Sequence, residues 1–465
     1  MKEKRILRVF GQISDQYVDE AETSNTKSRR PRRAAWMGAV AAVLAVVLLG
    51  GILLRPDTGL FMRAAAAYEP DYTISYDGAV LDEEYLSAIR AFAAQGGEIL
   101  LNGNDTTAYS PIALYTALSM VSELADSSSR DALLNALGVD STEQLRRYSG
   151  DLWRYLCTNP KIKAPGKVTV SNALWLNQDY TFNGETLQNL ANHYYVASYT
   201  GDMIKDIPEL VSKWVKKQTN NLLDCKVEPT NDTIAVLLSA IYFYDEWAEH
   251  FDKHDTTEGR FRAGTMGEHE TNLSAEEWVP CNYMNRTQQD WAYYCGGGVT
   301  ASVQYFKNGG KMLFILPDEG SSPADILGNA EILTNLLNWE ELGKSTAQVE
   351  WAIPRFTMKK TLNLKDGLTA LGLGELFDAF GNPLPLLSGN GTPAFIGKAE
   401  QGTAISIDEI GCEATSYVEI GLMEGALDSS PENLVQMHLT RPFVFAILSE
   451  NDVPLFLGVI NSPNG

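Results

Sequence analysis

The sequence predicts an α+β domain with large antiparallel or mixed β-sheets, preceded by one transmembrane helix. Three observations carry that prediction. Amphipathic helical patterns dominate to about residue 220, strand-like segments take over from about residue 230, and Ala34 to Leu54 form an uncharged run of 21 residues. The 465 residues, 45% hydrophobic and 21% charged, suffice for a single large core after a short appendage.

The apolar run AAWMGAVAAVLAVVLLGGILL can cross a hydrocarbon layer of about 30 Å at about 1.5 Å per residue. KSRRPRR stands immediately before it, with Lys27, Arg29, Arg30, Arg32 and Arg33, so the positive-inside rule places residues 1–33 in the cytoplasm and everything after Arg55 outside. A cleaved signal peptide is the competing reading, since Ala64–Ala67 offers small residues. The run is long for a signal core, however, and Arg55, Pro56, Asp57 and Arg63 separate it from those alanines. The expected organisation is a cytoplasmic arm at 1–33, a transmembrane helix at 34–54, a juxtamembrane linker at 55–78 and one folded domain at 79–465.

Net charge is −22 and unevenly spread. Residues 1–33 hold nine Lys/Arg against five Asp/Glu, a net of +4, which leaves −26 on the remainder. An acidic body of that size repels phosphate backbones, which excludes nucleic acid as a partner. Five cysteines, Cys157, Cys225, Cys281, Cys295 and Cys412, form no CxxC pair, and their odd number argues against a disulfide framework and a structural zinc. Free thiols are expected, with a Cys281–Cys295 bridge left open.

Along the body, SPIALYTALSMVSEL opens with Ser110 as an N-cap and Pro111 at the first helical position. SSSRDALLNALGVD repeats the device with a serine cap and stops at Gly138, whereas KVTVSNALWLNQ alternates and is β-branched, as a strand should be. TIAVLLSAIYFY, TASVQYFK, KMLFILP, AQVEWAIPRF, RPFVFAIL and PLFLGVIN supply the later strands.

No catalytic constellation is visible. The sequence lacks a G-x-S-x-G elbow and holds only five histidines. His250 and His254 in EHFDKHD lack further ligands and the glutamate of HExxH, so they read as a solvated turn. Gly296-Gly297-Gly298 and Gly309-Gly310 are turns, because no Lys-Ser/Thr follows them. Neither a metal nor a cofactor is expected.

From about residue 80 onward the chain resembles the serpin family, on motifs in family order. They are YSPIALYTALSMV with Ser110, Pro111, Ala117 and Leu118; VSNALWLNQDYTF; WVKKQTNNLL with Trp214, Thr219 and Asn220; and IYFYDEWAEHF with Phe243, Trp247 and Phe251. ILPDEG, IPRF (Pro354, Arg355, Phe356), LNLKDGLTALGLGELFD, IDEIGCEA, RPFVFAI and PLFLGVINSP complete the series. The resemblance implies a serpin fold: a large central mixed β-sheet, further sheets, about eight or nine helices and an exposed reactive loop. It further implies a suicide-type inhibitor of serine proteases, with cysteine proteases as a further class. Such an inhibitor traps its target as an acyl-enzyme when the cleaved loop inserts into the central sheet. The expected setting is the outer surface of a cell of bacterial type, with the protein a monomer. A non-inhibitory serpin, acting as a surface binding protein, is the alternative.

The reactive loop should start after Ile407 and end before Arg441. Glu409, Gly411, Glu413 and Ala414 match the hinge pattern Glu-x-Gly-x-Glu-Ala, which also takes in Cys412, Thr415 and Ser416. Cys412, Ala414, Ser416, Val418, Ile420 and Leu422 form one face of a period-2 pattern, and Glu413, Thr415, Tyr417 and Glu419 the other. Glu424 would be the first charge forced inward, so insertion should stop at about Leu422 or Met423. Family spacing places the reactive bond at Gly425–Ala426, with Met423, Glu424 and Leu427 as neighbouring alternatives. Tyr417 stands where the family usually has small residues, and Cys412 where threonine is usual. The resemblance assigns sheet opening to Ser110, Ser239, Trp247 and Gln401; Ala113, Ser239 and Gln401 replace the family's common serine, asparagine and histidine.

Overall fold

The computed structural model describes residues 66–73, 79, 81–101, 106–164, 166–264, 278–412 and 434–463. The arm at 1–33 and the apolar run at 34–54 lie outside the described residues. Among those described, no helix is long and apolar enough to cross a membrane.

The helices are α1 (Glu83–Leu100), α2 (Pro111–Leu124), α3 (Ser127–Leu137), α4 (Thr142–Cys157), α5 (Gly184–Tyr194), α6 (Ile207–Gln218), α7 (Pro323–Leu327), α8 (Ala330–Leu337) and α9 (Lys365–Leu368). Ser110 caps α2 as its sequence predicts, accepting a hydrogen bond from the Ala113 N–H at 3.1 Å. Helix α3 departs from expectation at its start. Asp126 is the cap, accepting from Ser129 N–H at 2.7 Å, and the serines lie inside the first turn. A carboxylate outcompetes a hydroxyl there because it also meets the positive end of the helix dipole. Gly138 ends α3 with φ of 68°, where a side chain would be strained.

The strands are β1 (Ala66–Tyr68), β2 (Thr107–Tyr109), β3 (Lys167–Asn177), β4 (Val196–Gly201), β5 (Ala235–Glu246), β6 (Thr257–Arg262), β7 (Trp278–Gly296), β8 (Val299–Tyr305), β9 (Lys311–Pro317), β10 (Ser345–Pro354), β11 (Phe356–Asn363), β12 (Glu400–Ile407), β13 (Gly411–Cys412), β14 (Leu434–His438), β15 (Phe443–Leu448) and β16 (Pro454–Ile460). They form two mixed sheets. The central one runs β1-β4-β3-β5-β13-β12-β11, and the second runs β14-β10-β7-β8-β9-β15-β16-β2 with β6 paired to β7. Strands β9, β15 and β16 are buried along their length, which is why KMLFILP, RPFVFAIL and PLFLGVIN read as continuous apolar runs. Helix α2 lies in the core against β5 and β16, and α6 lies across β3 and β5.

Two expectations change. The fold begins inside the segment predicted as linker: Ala66–Tyr68 pairs antiparallel with β4, and the Tyr72 ring lies 5.8 Å from Trp153 and 6.4 Å from Tyr195. Cys281 and Cys295, left open as a bridge, both sit on β7 and are free. Fourteen residues of extended strand span roughly 45 Å, whereas a disulfide needs Cα atoms about 6 Å apart.

Candidate functional site

Strand β5 is central in its sheet, yet residues 235–242 are only half-buried along AVLLSAIY. Among the described residues no ladder joins β5 to β12 directly; β13 alone bridges them at one end, with Gly411 opposite Glu246, and Cys412 opposite both Asp245 and Ile407. Below β13 the two strands border a cleft of about 420 Å³, lined by Leu237, Ser239, Ile241, Gln401, Thr403 and Ile405. Among the described residues, therefore, no strand pairs with β5 or β12 on the sides that face the gap below β13, the arrangement that accepts an added strand.

The head of this slot is tied down by the turn Asp408–Ile410. Trp247 donates from its indole Nε1 to the Asp408 carbonyl at 2.8 Å and from its backbone N–H to the Ile410 carbonyl at 2.9 Å. Its ring stacks on Phe306 at 4.8 Å. Glu409 is buried and ion-paired to Arg355, accepts from the Thr256 hydroxyl at 2.6 Å, and its carbonyl accepts from Phe251 N–H at 2.9 Å. Burial alone would raise the Glu409 carboxyl, but the hydrogen bonds from Thr256 and Arg355 outweigh it and hold the group below its usual range. Across the turn, buried Glu246 accepts from Lys307 Nζ at 2.6 Å and lies 3.0 Å from His250 Nε2. His254 is in a neighbouring turn, and no metal-holding cluster occurs among the described residues.

Asp245, facing Cys412 at the slot head, accepts from Asn308 N–H, Asn308 Nδ2 and Glu246 N–H at 2.9–3.1 Å. Burial nevertheless pushes its carboxyl up to about 6. An acid whose folded pKa exceeds its unfolded value binds its proton more tightly when folded, so its contribution to stability falls as pH rises from about 4 to about 6. Asp245→Asn removes that slope. The melting temperature of the variant minus that of the native chain should therefore increase across this window in a thermal melt series, and a flat difference would remove the assignment.

The four sheet-opening residues divide. Gln401 and Ser110 are together beneath the sheet: Ser110 N–H donates to Gln401 Oε1 at 2.9 Å, Gln401 Nε2 donates to the Ser110 carbonyl at 3.1 Å, and the Ser110 hydroxyl donates to the Leu455 carbonyl at 2.7 Å. Ser239 borders the slot, and its hydroxyl finds no partner among the described residues. Trp247 belongs to the head. Of the hinge, Glu409, Gly411 and Cys412 are placed as above, and the Cys412 thiol is buried on the core side. Glu413, Ala414, Thr415 and Ser416 lie outside the described residues, as do Gly425 and Ala426 with Met423, Glu424 and Leu427. Sequence reasoning missed the Thr256 and Lys307 contacts, which join segments remote in sequence. Arg355 was legible only as part of IPRF.

The sequence model of the family described as Serpin (serine protease inhibitor) matches residues 88–463. The chain belongs to the serpin family. Among curated relatives it is 25% identical over 370 residues to the alpha-1-antiproteinase S of Cavia porcellus, covering 76% of this chain and 84% of that one. It is 22% identical over 374 residues to Serpin-ZX of Arabidopsis thaliana, covering 77% and 93% respectively. The structure of the thermophilic serpin tengpin in its native state superposes with a TM-score of 0.72 at 22% identity, covering 86% of this chain and all of tengpin. Serpin relatives of this kind are protease inhibitors and not enzymes, in keeping with the absence of a catalytic motif from the sequence.

Proposed function

We propose that this serpin is a suicide-type, conformational-trapping inhibitor of serine proteases of the elastase or subtilisin type, held on the outer surface of a cell by residues 34–54. The observation that supports trapping is the slot between β5 and β12, entered at its head by Gly411–Cys412 in antiparallel register with both walls. Continued along that register, the loop residue opposite Ala235, the first residue of β5, would be Leu422. Loop patterning set the same limit, because Glu424 is the first inward charge.

Incubating the chain with proteases of several specificities, followed by a denaturing gel, tests the reading. A covalent complex is the expected result; cleavage without any complex would select instead a non-inhibitory serpin whose loop is merely cut. Between Lys398 and Arg441 there is no Lys or Arg, so trypsin-like enzymes with an acidic specificity pocket find no side chain to bind. Elastase- or subtilisin-like enzymes can accept Gly425, Ala426, Met423 or Leu427. Rapid complex formation with trypsin would overturn this specificity.

Surface display rests on the uncharged run and the five basic residues before it. External protease added to intact cells should remove the folded body and leave residues 1–33 protected. Replacing Arg29, Arg30, Arg32 and Arg33 should weaken that orientation, and a protected body with an accessible arm would refute it.

A further inference from the structure

Phe380 stands 99% exposed in a turn, and the chain around it carries no charge. Resting on the membrane-anchor reading, we propose that the face built from Phe380, Leu386, Phe395 and Ile204 is the membrane-facing end of the folded body. There it seats its exposed side chains in the interfacial layer of an electrically neutral lipid surface.

Seven large apolar or aromatic residues are exposed among the described residues, and four of them are these. Hydrogen bonds draw them to one end of the central sheet. Where β3 ends, Gln178 N–H donates to the Gly201 carbonyl at 3.0 Å; Phe182 then pairs with Ser388, and Gly389 N–H donates to the Thr181 carbonyl at 2.8 Å. Ile204, 47% exposed, lies in the turn that follows Gly201. Leu386 N–H donates to the Leu124 carbonyl at the end of α2 at 3.1 Å. Phe395 is held beside the Phe380 turn, since Ala394 N–H donates to Asn382 Oδ1 at 2.9 Å and Ile396 N–H to the Leu376 carbonyl at 2.7 Å. Single exposed apolar side chains are ordinary on a protein surface, whereas several gathered at one end mark a contact surface.

The 19 residues from Ala379 to Gly397 contain no Lys, Arg, Asp or Glu, in a chain of which 21% is charged. The body as a whole is acidic and is repelled by anionic headgroups, so an uncharged face is the one that can approach lipid closely.

The point where the tether enters the body names the occupant. Strand β1 runs antiparallel to β4 with Ala66 opposite Tyr199 and Tyr68 opposite Ser198, so the chain arrives at the end of β4 that leads to Gly201 and Ile204. Eleven residues, 55–65, separate Leu54 from Ala66. They reach at most about 40 Å fully extended, less than the roughly 55 Å breadth of a body of about 400 residues. The end that the tether enters is thus kept nearest the lipid, and it carries the face. Exposed aromatic and aliphatic side chains are the groups that partition into a bilayer interface.

The test uses the full chain reconstituted in phosphatidylcholine vesicles brominated in the upper acyl chain, with alkaline carbonate extraction to establish that it stays inserted. Phe380→Trp adds a fluorophore at a position that packs against nothing, and bromine should quench about half or more of the added emission. Tyr72→Trp, at the other end of β4 beside Tyr195, is the comparison and should be quenched little. Adding Phe395→Asp and Ile204→Asp to Phe380→Trp should cut the quenching about threefold or more, at unchanged melting temperature, because both side chains are exposed. Phosphatidylserine in the vesicles should lower the quenching, and added salt should restore it. A chain that resists carbonate yet shows equally weak quenching at positions 380 and 72 would overturn the proposal and leave the anchor standing. Weak quenching in a chain that is dimeric, and that Phe380→Asp makes monomeric, would give the face to a second copy of the chain instead. Release by carbonate removes the anchor, and the proposal with it.

Discussion

On the trapping reading, Ala414→Arg should turn the protein from an inhibitor into a substrate. In the register set by Gly411–Cys412, Ala414 would enter opposite Phe243 and Ile405, which are 9% and 5% exposed, and Phe243 packs edge-on against Phe306 at 5.2 Å. A guanidinium placed there is buried without a partner or holds the hinge out of the sheet, and either outcome costs on the order of several kcal/mol. Insertion then loses its race against hydrolysis of the acyl intermediate, so a denaturing gel should show cleaved serpin in place of complex, cut at the same bond. Thr415→Arg is the matched comparison. Its side chain would point outward beside Tyr242 and Ala404, where an arginine keeps its charge in water, and most of the complex should persist. Loop cleavage should raise the melting temperature of the native chain sharply and that of Ala414→Arg little. Equal inhibition and equal stabilisation in the two variants would end the insertion account while leaving the serpin fold untouched.

Much of this was legible in the sequence because local patterns report local environments. Ser110-Pro111 announced α2, and the continuous apolar runs announced β9, β15 and β16, whose two faces are both covered. Alternation in the loop assigned Cys412 to the inward face, and its thiol is buried. What stayed hidden depends on partners distant in the chain. Three residues at Ala66–Tyr68 carry no periodicity of their own and become a strand only because β4 has an open edge. Arg355, Thr256 and Glu409 meet across three separate segments. Gln401, assigned to sheet opening and noted as a departure from the family pattern, clamps both backbone groups of Ser110 with its amide, a contact its sequence position does not announce.

Gly411→Val should act before any protease arrives. A Cβ at position 411 would lie 2.4 Å from the Asp245 carbonyl oxygen and 2.6 Å from the Glu246 Cα. Both are backbone atoms of β5, so no side-chain rotation relieves the overlap. Either β5 shifts, against its ladder to β3, or the two residues of β13 leave the sheet. The second requires less, because β13 is held by one pair to β12 and two to β5, whereas β5 is paired to β3 from Ala235 to Tyr244. Ejection also gives up the hydrogen bond from Asp408 N–H to the Gly411 carbonyl at 3.1 Å and uncovers Cys412, which is 4% exposed in the intact sheet. Alkylation of Cys412 in the uncleaved protein, followed by peptide mass spectrometry to separate it from exposed Cys295, should therefore speed up about tenfold or more. The same variant cannot pass its hinge between β5 and β12 after cleavage, so it should yield cleaved product with neither complex nor gain in melting temperature. Unchanged protection of Cys412 together with normal complex formation would show that the head of the slot tolerates a side chain, and that entry of the loop does not pass through the pairing of Gly411 with Glu246.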